Sequence, residues 1–205
     1  MGMYGTLRRA SAADVARLRA EPALVQSFLY GEAAEEVEVR PPGLLGFVLR
    51  LLPGKVTQPV AGTGGWEHGP WPAPADGESL DLDKAWHGVH FLLTGSADEV
   101  DGPAGYLLAG GEDVGDDEDG DPGARLLGPA QVRDFAALLA ALDDAEVARR
   151  FDPARMTALG IYPEIWERPE ATDAPRAFVL DAFAELRAFA TAAAAAGHAV
   201  VVCVQ

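Results

Sequence analysis

The chain has 205 residues, 49% of them apolar, which is enough to bury a sizeable core without disulfides or a structural metal. A formal charge of −16 and a pI near 4.5 argue against nucleic acid or an anionic membrane surface as a direct partner. One cysteine, Cys203, excludes a disulfide framework and a thiolate zinc cage, and no apolar run reaches the ~20 residues of a membrane span.

Met3 to Leu7 is apolar enough for a first strand. Ser11, followed three residues later by Asp14, is a capping-box start for a helix with Val15 and Leu18 on its inner face. Pro22 opens a second helix carrying Leu24, Val25, Phe28 and Leu29. Residues 35–40 alternate between polar and apolar, and both helical and extended readings stay open. Between Pro41-Pro42-Gly43 and Pro53-Gly54, the run LLGFVLRLL is expected as a buried helix.

Residues 61–79 hold too many Gly and Pro for a regular element and form an irregular loop. Trp66 and Trp71 within it are expected to pin it to the body. Residues 105–110, GYLLAG, are a candidate strand, and 110–123 a second irregular stretch with seven carboxylates. The acidic part of it, 112–121, is expected to bury nothing. It fails as a calcium loop, because aligning on Asp119-Gly120 puts Gly115 and Leu126 at the first and last ligand positions.

From Pro129 the apolar residues Val132, Phe135, Leu138, Leu139 and Leu142 follow helical spacing. Asp152-Pro153 starts a short helix that ends by Gly160. A long helix runs from about Ala174 to Ala196, capped by Gly197, before the closing strand HAVVVCVQ. The fold class is α+β: a helix-rich single domain, 1–205, whose small sheet includes the N- and C-terminal strands.

The densest segment is LDLDKAWHGVHFLLTG, residues 80–95. Read as a helix from Asp83 to Leu93, it places Leu82, Ala85, Trp86, Val89 and Leu93 on one face. Asp83, His87 and His90 then fall within roughly 60° of one another on the other side. One carboxylate and two imidazoles on a stripe suit an acid/base pair or a metal. Helix-borne zinc pairs, however, usually sit at i and i+4, whereas these sit at i and i+3. The expectation is a hydrogen-bonded structural stripe with no metal and no cofactor. No phosphate loop and no G-x-S-x-G elbow occurs, and Cys203 reads as a buried strand residue.

The run L-D-x-D-K-x-W-x-x-V-H-F-x-L-T-G, the opening Met1-Gly2-Met3, Ile161-Tyr162-Pro163 and the closing A-A-x-x-G-H-A-V-V-V together resemble the YfbM-like family of bacterial proteins of unknown function. The resemblance spans nearly the whole chain and implies one α+β domain. It marks Asp81, Asp83, Lys84, Trp86, His90, Thr94 and Gly95 as characteristic positions and His87 as a variable one. It brings no established activity.

Three functional classes stand. The first is a cytoplasmic, non-enzymatic interaction or toxin-neutralising protein, whose acidic surface would steer toward a basic protein partner. The cytoplasmic expectation follows from the start MGMYGTLRRA, which lacks an apolar signal core. The second is a small-molecule-binding module near Trp86, His90 and Tyr162. The third is a hydrolase-like enzyme with His90 as base beside Asp81 or Asp83. Asp81, Asp83, Trp86, His90, Thr94 and Tyr162 are the candidate site residues, and their discriminating property is whether they converge on an open pocket.

Overall fold

The computed structural model describes residues 2–31, 71–115, 123–167 and 173–205. The alternating stretch 35–40, the apolar run 44–52, Trp66 and the carboxylates from Asp116 to Asp121 lie outside the described residues.

Strand β1 (Gly5–Ala10) is followed by α1 (Ala12–Ala20), a 3₁₀ turn at Pro22–Leu24 and α2 (Val25–Tyr30). The capping box forms as the sequence predicts: Asp14 N–H donates to Ser11 Oγ at 3.2 Å, and Ser11 N–H donates to the Asp14 carboxylate at 2.9 Å. Next come β2 (Ser79–Asp81), a 3₁₀ turn at Asp83–Ala85 and α3 (Trp86–Thr94). A 3₁₀ turn at Pro103–Gly105 leads to β3 (Glu112–Val114) and β4 (Ala124–Leu127). Four further elements close the chain: α4 (Pro129–Ala141), α5 (Asp144–Arg150), α6 (Pro153–Ala158) and α7 (Ala174–Ala195), the last running into β5 (Ala199–Val204).

The strands form one antiparallel sheet in the order β2-β1-β5-β4-β3. The terminal strands β1 and β5 pair in register from Gly5↔Val204 to Ala10↔Ala199. Central β5 is covered on both faces, which explains its continuous run of small and β-branched residues rather than an alternation with polar ones. Val200 and Val202 face the larger apolar cluster, with Leu7, Val89, Leu139 and Leu186 from β1, α3, α4 and α7. Ala199, Val201 and Cys203 face a second cluster with Leu18, Phe28, Leu29 and Trp71. Helices therefore lie on both faces of the sheet, giving a helix-rich α+β architecture.

Four expectations need correction. GYLLAG at 105–110 is not a strand: it follows the 3₁₀ turn, burying Tyr106 and Leu107. Its carbonyls are taken by Arg125 instead of a ladder, the guanidinium donating to Leu107 O at 2.6 Å and Gly110 O at 3.0 Å. The stretch 110–123 is not wholly irregular, because Glu112–Val114 pairs with β4 and buries Val114 against the second cluster. Nor does the helix of the 80–95 segment begin at Asp83. That residue has φ of +47°, and Ser79–Asp81 before it pairs with β1 as an edge strand, so the loop 61–79 ends in sheet. Finally, α5 is an extra helix, started by the Asp143 side chain accepting Glu146 N–H at 2.6 Å. Within the described part of loop 61–79, Trp71 is buried, its indole donating to Asp14 at 2.9 Å and its ring edge-on to Phe28.

Candidate functional site

The sequence WHGVHFLLT buries almost every residue of α3, including Trp86, Gly88, Val89, His90, Phe91, Leu92 and Leu93. A helix apolar on nearly all sides belongs in the middle of a core. Gly88 makes that position possible. A Cβ there would lie 2.8 Å from the Trp166 ring and 2.9 Å from a Val179 methyl, so α7 and the 161–167 segment approach more closely than any side chain would allow.

The two imidazoles of α3 tie it to the segment that follows. His87 Nε2 donates to Ala97 O at 2.9 Å, and its Nδ1 accepts the Tyr162 N–H at 3.0 Å. One nitrogen faces a carbonyl and the other an N–H, so the pairing requires the neutral, Nε2-protonated tautomer. His90 is 0% exposed, and its Nε2 donates to Asp98 O at 2.9 Å. Its Nδ1 is buried without a hydrogen-bond partner among the described residues. Burial pushes both imidazoles below their ordinary pKa; the carbonyl bonds and the Asp98 charge oppose this without reversing it. The ring centroids are 6.4 Å apart. The outcome is a double latch that fixes the 96–98 loop on α3, with His87 also holding the 161–164 turn.

The remaining candidates are placed around the latch, and Thr94 also lines a separate hollow at the C-terminal end of α3. Trp86 stacks on His87 with centroids 4.8 Å apart and planes 7° from parallel, and Tyr162 lies 6.1 Å from it on a tilted plane. The start of the chain hydrogen-bonds to both Trp86 and Tyr162. Met3 N–H donates to the Tyr162 hydroxyl at 3.1 Å, and Trp86 Nε1 donates to Met3 O at 3.4 Å. Thr94 Oγ1 donates to His90 O at 2.8 Å and accepts Ser96 N–H at 3.1 Å, turning the chain after the helix at Gly95 (φ +71°). Asp81 and Asp83 are exposed, and an Asp81 oxygen accepts the Asp83 N–H at 2.7 Å.

The stripe of Asp83, His87 and His90 is therefore not formed: Asp83 leaves the helical path before α3 begins, and the imidazoles are bonded to backbone. No group of three His, Cys, Asp or Glu side chains able to hold a metal occurs among the described residues. No helix there is long and apolar enough to cross a membrane.

A second feature was not read from the sequence. At the C-terminal end of α3, a concavity of about 500 Å³ is lined by Phe91, Leu92, Leu93, Thr94 and Gly95 together with Arg149, Arg150, Asp152 and Arg155. Its sequence signal is A-R-R-F-D-P-A-R at 148–155, three arginines within seven residues of a chain with twice as many acids as bases.

Helices on both faces of a five-stranded antiparallel sheet, with a latched histidine pair on α3, define a helix-rich α+β protein. The chain belongs to the family described as "Domain of unknown function (DUF1877)", which it matches over residues 1–203. Its fold is similar to the crystal structure of a protein of unknown function, YfbM from Escherichia coli: 16% identity, TM-score 0.62, covering 98% of this chain and 99% of that one. No curated protein matches it in sequence.

Proposed function

We propose that the protein is a non-enzymatic interaction protein that binds a basic protein partner through its acidic surface, neutralisation of a toxin being one such role. The observation that carries this reading is His90. A general base must come within hydrogen-bond reach of the proton it takes. This imidazole has no exposure, and its protonated nitrogen is spent on a loop carbonyl. Trp86 and Tyr162 each hydrogen-bond to the Met3 backbone, so both serve to hold the start of the chain. What remains outward is charge: 32 acidic against 16 basic side chains, including the exposed Asp98, Glu99 and Asp101 on the latched loop. Such a surface steers basic partners and repels acidic ones.

The test is capture from a lysate of the source organism at about 50 mM and about 500 mM salt, with the retained proteins identified and their stoichiometry measured. A basic protein bound near one-to-one at low salt, lost at high salt and displaced by polylysine supports the proposal. Absence of any stoichiometric basic protein at low salt overturns it.

A further inference from the structure

We propose that the hollow at the C-terminal end of α3 is a binding site for a small oxyanion, a phosphate or carboxylate group held by Arg149, Arg150 and Arg155. Three of the chain's sixteen basic residues line this one concavity, whereas the protein as a whole carries −16. Local charge counting keeps the excess positive. Glu146 pairs with Arg150 at 2.5 Å, and an Asp152 oxygen accepts the Arg155 backbone N–H at 3.0 Å, capping α6. Among the described residues, three guanidiniums against these two carboxylates leave a net +1.

Two of the guanidiniums are already held in place. Arg150 Nη1 donates to Leu92 O at 3.1 Å, and Arg155 Nη2 donates to Gly95 O at 3.0 Å. The Arg155 guanidinium also lies 5.7 Å from the Phe91 ring centroid. These contacts neutralise the negative end of α3 and occupy only part of each five-donor fork. The unspent N–H groups of these two forks are donors that an incoming oxyanion could take up. Arg149 is exposed and lines the same hollow, adding a third guanidinium to it. The volume of about 500 Å³ suits a metabolite-sized anion.

The site is cationic and does not rest on the basic-partner reading, so failure of either leaves the other standing. The experiment is a two-dimensional amide NMR titration of the full chain in low-chloride buffer, one arm with inorganic phosphate and one with citrate. The expected result is saturable shifts confined to residues 91–95 and 149–155, and the stronger arm identifies the preferred oxyanion. Arg149→Gln and Arg155→Gln should each weaken binding by about tenfold or more, while Arg133→Gln, an exposed arginine on α4, should leave it unchanged. Arg149→Gln removes no helix-capping contact, so it decides the matter even if Arg155→Gln lowers the melting temperature. Shifts that do not saturate, that spread over the surface, or that survive Arg149→Gln unchanged overturn the assignment.

Discussion

The Tyr162 backbone N–H donates to Nδ1 of His87 at 3.0 Å, joining residues 75 positions apart. Because the other ring nitrogen donates to Ala97 O, this arrangement exists only while the imidazole is neutral. His90 on the next turn is buried with the same polarity toward Asp98 O. Both have folded-state pKa values lowered chiefly by burial, so the unfolded chain binds protons more readily than the folded one. Their contribution to stability is complete above the ordinary histidine pKa and is lost as pH falls through the folded values. The slope is at most about 1.4 kcal/mol per pH unit for each imidazole. Urea midpoints should fall between about pH 7.5 and about pH 5. His90→Asn should flatten that fall while lowering the midpoint at neutral pH. An equal fall in the variant would mean that other groups cause it.

Gly88→Ala should destabilise the protein, although Gly→Ala inside a helix ordinarily stabilises by about 1 kcal/mol. The added methyl would press on Trp166 and Val179, both buried and both closer than 3.0 Å to the new atom. Overpacking of this kind costs about 1–3 kcal/mol, so the contact outweighs propensity. Thermal melts and Trp fluorescence would check it.

Arg125 holds Tyr106 O, Leu107 O and Gly110 O with one guanidinium, giving a stretch that forms no ladder its hydrogen bonds. Burial lowers its pKa, opposed by Glu99 and Asp113 nearby. Arg125→Met should cost about 2–3 kcal/mol, because the carbonyls lose charged donors within a largely closed site. Arg125→Lys should recover only part, since an ammonium cannot span the three oxygens. Amide exchange of residues 106–110 would report the loss locally.

Val114→Ala should cost about 2 kcal/mol, since Val114 packs against the second cluster from the edge strand β3. Glu112→Gln, two residues earlier, removes an exposed ion pair with Arg19 and should leave the melting temperature unchanged. The contrast separates the part of the acidic stretch that belongs to the sheet from side chains that face water.

Much of the architecture is legible in the residues alone. Local physics decides the Ser11 cap, the Pro-initiated helices at Pro129, Pro153 and near Ala174, and the Gly197 stop. Each depends on groups within one or two helical turns. The pairing of the terminal strands also follows from composition, because a run such as AVVVCV is stable only where both its faces are covered. The His87–His90 spacing was visible too, but its meaning was not. The same i,i+3 pair fits a metal ligand set or a structural latch, and the difference lies in what stands opposite. Ala97 O, Asp98 O and the Tyr162 N–H are backbone groups, which carry no residue signature. Arg125 likewise reclaims GYLLAG from the sheet by satisfying its carbonyls from a strand fifteen or more positions away. Hydrogen-bond demand is written in every residue. Which partner meets it is decided only when distant segments are packed together, and that packing turned a candidate catalytic stripe into a latch and set the arginines of 149–155 against the C-terminal end of α3.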